Sequence, residues 1–287
     1  MGIFFVSGLA VGSIYALSGV GLVLLYRATG VLNLAYGAIG AAGAMVAWQL
    51  VEWEYPAPLA WCAAILLAIV ISFCQGRFVA PYLDFREPVI KAVATLGVML
   101  IVLGIVNWIW VENPRRFDLP TDTIGTRLLG VRVTVTRGLV LVLALVSTAG
   151  IALYLNKTRM GLLMRSLANN RNIASMIGVP VLKVELVAWI FSGFLSGLTG
   201  LMFADLVSMN PNVLAFLVIP AIAADIVGRL ESLWLTLIGG MGIGIIEAMT
   251  TLIKPVAPFR TAVPFVVAAI VILWLQRKQR LTFADDD

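Results

Sequence analysis

No histidine occurs among the 287 residues of the chain. That removes imidazole acid–base chemistry, Ser-His triads and histidine metal sites. Cysteine is nearly missing too. Cys62 and Cys74 fall in one apolar run, where they read as small buried hydrophobes rather than as a disulfide or metal pair. Charge is scarce, at 12% of residues, against roughly 25% in ordinary soluble domains. A charged side chain at the centre of a membrane helix costs on the order of 2.5–3.5 kcal/mol. Low charge beside 61% hydrophobic residues therefore implies a chain that spans a membrane. No G-x-x-x-x-G-K-S/T phosphate loop occurs, so the chain is not its own P-loop ATPase. The short alternating segments of a membrane β-barrel are missing as well. Helices remain, because they satisfy their backbone groups within each segment.

The expected fold is all-α: a polytopic helical bundle of eight to ten spans forming a single membrane domain over residues 1–287, with no cofactor and no metal. Nine hydrophobic segments are present: 3–26, 30–50, 57–76, 92–110, 138–155, 184–206, 213–228, 233–251 and 263–276. A span needs about 20 apolar residues, so the seventh and ninth are short. The second is rich in Gly and Ala, which suggests a broken helix. The first has no basic stretch before it and is expected to be a retained span rather than a cleaved signal.

The stretch 156–183, NKTRMGLLMRSLANNRNIASMIGVPVLK, carries five basic residues and no acid. The positive-inside rule places it on the cytoplasmic side. Alternation then puts the N-terminus outside and the C-terminus inside, with thirteen of the 20 Lys and Arg residues on the inner side. The net charge of +5 is explained by this orientation, so no nucleic-acid partner is expected. The centre of the stretch reads as a short helix with Arg165, Asn169 and Asn172 on one side, a handle for a soluble partner. The loop 111–137 on the outer side carries Pro, Gly and the run VRVTV, and is expected to form turns and a hairpin.

Three Gly pairs recur at helix-packing spacing: Gly8 and Gly12, Gly193 and Gly197, Gly240 and Gly244. Each pair implies close helix contact. Four acids lie near the spans, and intramembrane ionisable groups are functional candidates. Glu185 and Asp205 lie at segment ends where water reaches them. Asp225 stands four residues before Arg229, the spacing of a helical ion pair. Glu247 lies deeper and divides between a structural hydrogen bond and a place in a solute path. Asn33 and Tyr36, three apart and flanked by Gly30, Gly37, Gly40 and Gly43, are expected to share a helix face beside a break. Broken helices expose backbone polar groups to a water-lined path; the competing reading is interhelical hydrogen bonding by Asn33 and Tyr36. Pro220 marks a second interruption.

The stretch GSIYALSGVGLVLLYRATGVLNLAYGAIG resembles the opening of the LivH-type permeases, membrane subunits of bacterial ABC importers for branched-chain amino acids. The stretch TRMGLLMRSLANNRNIASMIGV is similar to that family's cytoplasmic loop, with Gly161, Arg165, Ala168, Asn169, Ala174 and Gly178 at matching spacing. SGFLSGLTGLMFA and LTLIGGMGIGIIEAM also fit. The resemblance covers nearly the whole chain in order. It implies two partner ABC ATPase subunits gripping the cytoplasmic loop, a second permease subunit of LivM type, and an extracytoplasmic solute-binding protein. It also implies residence in the bacterial inner membrane. On that resemblance Gly161 to Gly178 form the coupling site, through a helix whose Leu163, Leu167 and Ile173 would dock on the ATPase beside Arg165 and Asn169. Asn33, Tyr36, Gly37 and Glu247 are candidates for the translocation path, and Pro220, Asp225 and Arg229 for a gate.

The chain departs from the family in three places. The common N-F-A-H-G-E is Asn33-Leu34-Ala35-Tyr36-Gly37-Ala38 here. The common L-G-G-x-G-S is the stretch Asp225–Ser232. Leu162 stands where Arg commonly follows the loop's first Gly. Related permeases serve urea, short amides and other small solutes. Two other functions compete: a self-contained channel or ion-coupled carrier, and a membrane enzyme. The sparse acids argue against the first, and the missing histidines against the second.

Overall fold

The computed structural model describes residues 2–83, 86–110, 125–128, 131–207 and 209–279. The helices are α1 (Gly2–Thr29), α2 (Tyr36–Glu52), α3 (Ala57–Cys74), α4 (Ala80–Leu83), α5 (Pro88–Ile109), α6 (Val135–Lys157), α7 (Arg159–Asn169), α8 (Arg171–Met176), α9 (Val181–Leu206), α10 (Pro211–Ala215), α11 (Val218–Val227), α12 (Leu233–Thr250) and α13 (Val263–Gln279). A π-helical turn, Gln75–Val79, joins α3 to α4. The fold is an all-α membrane bundle with one small hairpin.

Among the described residues, seven helical stretches are long and apolar enough to cross a membrane. Helix α2 and the broken pair α10–α11 are shorter and fill the places of the second and seventh hydrophobic segments. The hairpin pairs strand β1 (Gly125–Leu128) antiparallel with β2 (Val131–Thr134), where the sequence suggested one. The rest of the outer loop, including 111–124, lies outside the described residues.

The layering follows from side-chain size. Helix α1 runs through the middle, with 89% of its apolar window buried, and packs on α12, α9, α11 and α6. It meets α12 glycine to glycine: a Cβ on Gly12 would lie 2.8 Å from the Gly240 carbonyl, and one on Gly8 2.8 Å from that of Gly244. Two of the three pairs read from the sequence are thus halves of one antiparallel contact. The third, Gly193 and Gly197 of α9, receives α3 at Ala68 and Ile65. Van der Waals contact holds helices together in lipid, so backbone approach of this kind carries the association. The outer helices are different: α13 has 6% of its window buried, and α3 and α5 have 22%. Cys62 and Cys74 lie on the exposed side of α3, not in the core as expected, because the buried stripe of α3 is Ala60, Ala64, Ala68 and Ser72.

Gly30, at φ +66°, ends α1, and the next helix starts only at Tyr36. Asn33 therefore sits ahead of α2 and shares no helix face with Tyr36, contrary to the spacing argument. Thr95 of α5 latches the non-helical stretch: its Oγ1 lies 3.0 Å from both Leu32 O and Leu34 N. Gly37, Gly40 and Gly43 do not break the helix. They let α2 approach α10 at Ala215, α9 at Ser196 and Gly200, and α3 at Ala64.

Candidate coupling face and translocation cavity

The basic stretch folds into two short helices rather than one. Thr158 caps α7, its Oγ1 accepting from Gly161 N at 3.0 Å. Asn170 ends α7 and caps α8, its Oδ1 accepting from Ile173 N at 3.1 Å. Such caps satisfy donors that a helix start leaves free. A Cβ on Gly161 would run into the backbone of Tyr154 and Leu155, so glycine is what lets α7 fold back on the end of α6. Gly178 closes the loop at φ +87°, a conformation that suits glycine.

The six loop residues divide by role. Gly161 and Ala174 are buried and Gly178 makes the turn, while Arg165, Ala168 and Asn169 are exposed. Leu167 corrects the expectation of an outward apolar anchor: it is buried with Met164 against the bundle's own core. The exposed apolar groups are Leu162, Ile173, Met176 and Ile177, with Met176 85% and Ile177 73% exposed.

Beside the loop lies an open cup of about 890 Å³. Arg27, Lys91, Arg165 and Arg171 line it, with Glu231. Arg27 Nη1 donates to Glu231 O at 2.9 Å, and Arg171 pairs with Glu185 at 2.8 Å. Glu185 is 4% exposed, so it is buried rather than reached by water as its place at a segment end suggested. At the opposite end Trp110 donates to Gln49 at 2.9 Å and Asn107 to Asn212 at 3.3 Å.

A second cavity, about 250 Å³, lies far from the basic cup. It is walled by Phe203, Phe216 and Phe265 and carries Tyr15, Glu247 and Pro220. Glu247 is 15 residues from the capping Ser232 along α12, about 22 Å at 1.5 Å per residue. Tyr15 Oη donates to Glu247 Oε2 at 2.8 Å. Sequence reasoning found Glu247 and Pro220 but missed Tyr15, whose signal was a phenol placed inside an apolar span. The helix break occurs at Phe216 and Leu217, just ahead of Pro220, because proline has no N–H for the Phe216 carbonyl.

The remaining candidates are structural in their contacts. Asn33 Oδ1 accepts from Ala35 N and from Gln75 Nε2, both at 3.1 Å. Tyr36 is buried, its ring end packed on Gly21. Asp225 does not pair with Arg229. Helix α11 ends at Val227, Arg229 turns outward at φ +55°, and Asp225 points inward toward Gly19 and Thr236. Its carboxyl is fully buried and has no hydrogen-bond partner among the described residues.

Residues 4–275 match the family described as branched-chain amino acid transport system / permease component. The chain belongs to this family. It is a membrane-spanning permease subunit, a transport component of the binding-protein-dependent ABC class, and a multi-pass inner-membrane protein. The permease is 29% identical over 255 residues to a probable branched-chain amino acid transport permease LivH of Methanocaldococcus jannaschii, covering 83% of the chain and 78% of that protein. It is 21% identical over 283 residues to the high-affinity branched-chain amino acid permease LivH of Escherichia coli K12, covering 93% and 91%. It is also 29% identical over 228 residues to the autoinducer 2 import permease LsrC of E. coli, covering 78% of the chain and 61% of LsrC.

Proposed function

We propose that the permease forms the membrane path of an ATP-driven importer for branched-chain and other apolar amino acids. It works with two ABC ATPase subunits, a second permease subunit of LivM type and an extracytoplasmic binding protein. The observation that carries this is the uncovered end of the bundle. Leu162, Ile173, Met176 and Ile177 project beside Arg165 on a rigidly capped loop, and the chain has no phosphate loop of its own. An exposed apolar patch rimmed by charge is what a protein partner covers. Arg165, Ala168 and Asn169 touch the ATPase, while Gly161, Ala174 and Gly178 shape the loop that presents them. That face is cytoplasmic, with the N-terminus outside and the C-terminus inside. Glu247 lines the path; Asn33, Tyr36 and Gly37 frame it by packing. The interrupted α10–α11 pair, with Pro220 and Asp225, is the gate, and Arg229 marks its cytoplasmic rim.

The substrate follows the relatives named for branched-chain amino acids and the phenylalanine walls of the cavity. The relative named for autoinducer 2 favours a second reading, import of a small polar solute, as do urea and short-amide permeases within the resemblance. Purification of the C-terminally tagged chain in mild detergent, with mass spectrometry of what accompanies it, tests the assembly. ATPases and a second multi-span protein are expected. A lone homo-oligomer that moves solute in liposomes without ATP would overturn the proposal.

A further inference from the structure

The Glu247 carboxylate is held but not used up. A carboxylate offers about four lone-pair sites, and the Tyr15 hydroxyl occupies one of them, on Oε2. No other hydrogen bond to Glu247 occurs among the described residues, and the side chain is half-buried at the cavity wall. Around it stand Phe203, Phe216, Phe265 and the ring of Tyr15. Aromatic faces attract a cation and also shed water from an aliphatic group. The volume is also selective. Pockets for drug-sized ligands run from about 300 to 1,000 Å³, so a cavity of about 250 Å³ suits something smaller.

We propose that this cavity is a transit site for a small aliphatic α-amino acid, with the solute's ammonium on Glu247 and its side chain among the three phenylalanines. Tyr15 positions the carboxylate. One carboxylate in an aromatic wall suits an organic cation. The proposal rests on the amino-acid importer reading and adds to it the group that recognises the ammonium.

The test is leucine uptake by the complete importer, with its ATPases and binding protein, in proteoliposomes. Glu247→Gln is expected to cut leucine uptake by about tenfold or more, since a site built for a polar group rejects poorly matched pairs. Tyr15→Phe keeps the carboxylate and is expected to retain most of the uptake. Val213→Trp, at the exposed rim on α10, fills the cavity without touching its charge, and is expected to slow leucine more than alanine. It decides the matter if the Gln variant fails to assemble. Uptake by Glu247→Gln close to wild type overturns the proposal. So does equal loss in Tyr15→Phe, which would make the pair a tie between helices, or leucine and alanine both unchanged in Val213→Trp. Wild-type vesicles that move no leucine, but another solute, overturn the amino-acid reading itself.

Discussion

Arg171 and Glu185 form an ion pair of 2.8 Å that ties the short helix α8 to the long helix α9 near its N-terminal end. The pair links the basic loop to a helix that runs through the bundle. The acid is almost fully buried and the arginine is partly exposed, so the two ends of the link are not equivalent. Breaking a buried pair by removing one partner costs about 3–5 kcal/mol, less where one side reaches water.

Arg171→Ala should therefore loosen the loop. It is expected to cost up to about 3 kcal/mol and to make 156–183 sensitive to limited proteolysis. The doubly reversed variant, Arg171→Glu with Glu185→Arg, should recover part of the protection. Equal protection in Arg171→Ala and wild type would show that the pair carries no load.

Arg165 is exposed, held among the described residues only by a 3.3 Å contact to Asn156 Oδ1. Arg165→Glu places an acid in the outward face without disturbing the fold. ATP-driven uptake should fall by about tenfold or more, the loss expected when one charge at an interface is reversed. Unchanged uptake counts against the coupling assignment.

Gly12 and Gly97 are both glycines in long apolar helices, yet only one is crowded. A Cβ at Gly12 would meet α12 backbone at 2.8 Å, while at Gly97 nothing lies within 4 Å. Overpacking costs typically about 1–3 kcal/mol. Gly12→Ala should lower the apparent melting temperature in detergent, and Gly97→Ala should leave it unchanged. Equal melting temperatures would contradict the α1–α12 contact.

Asn33 accepts two hydrogen bonds and is 1% exposed. Asn33→Leu leaves Gln75 and the Ala35 N–H without their acceptor, a loss of about 1–3 kcal/mol for each buried group. Reduced recovery of folded protein by size-exclusion chromatography is expected. Full recovery with lost uptake would place Asn33 on the path instead.

Asp225 has a fully buried carboxyl with no hydrogen-bond partner among the described residues. Such burial costs about 1–3 kcal/mol. Asp225→Val should raise the apparent melting temperature and lower uptake, as at sites where stability is given up for function. A variant that is more stable and transports normally would remove Asp225 from the gate.

The candidates read from spacing met different fates for identifiable reasons. Gly161, Ala174 and Gly178 came from the resemblance; in the structure Gly161 and Ala174 are buried and Gly178 turns the chain at φ +87°. The Asn33 and Tyr36 pairing failed because Gly30 halts α1 and delays the next helix by several residues, a boundary that glycine content alone does not locate. The Asp225 and Arg229 pairing failed for the same kind of reason, since α11 stops between them. Tyr15 could not be joined to Glu247 from sequence, because 232 residues separate them.

Composition by itself determined that the chain spans a membrane as helices, because charge and unpaired backbone are costly in hydrocarbon. Sequence order determined the nine apolar segments and the basic loop. Only tertiary structure decided which faces meet. Helix packing in lipid depends on where small residues on different segments coincide, and that requires the register of one helix against another. The same register sets the Tyr15–Glu247 pair among three phenylalanines and leaves Met176 and Ile177 uncovered at the far end.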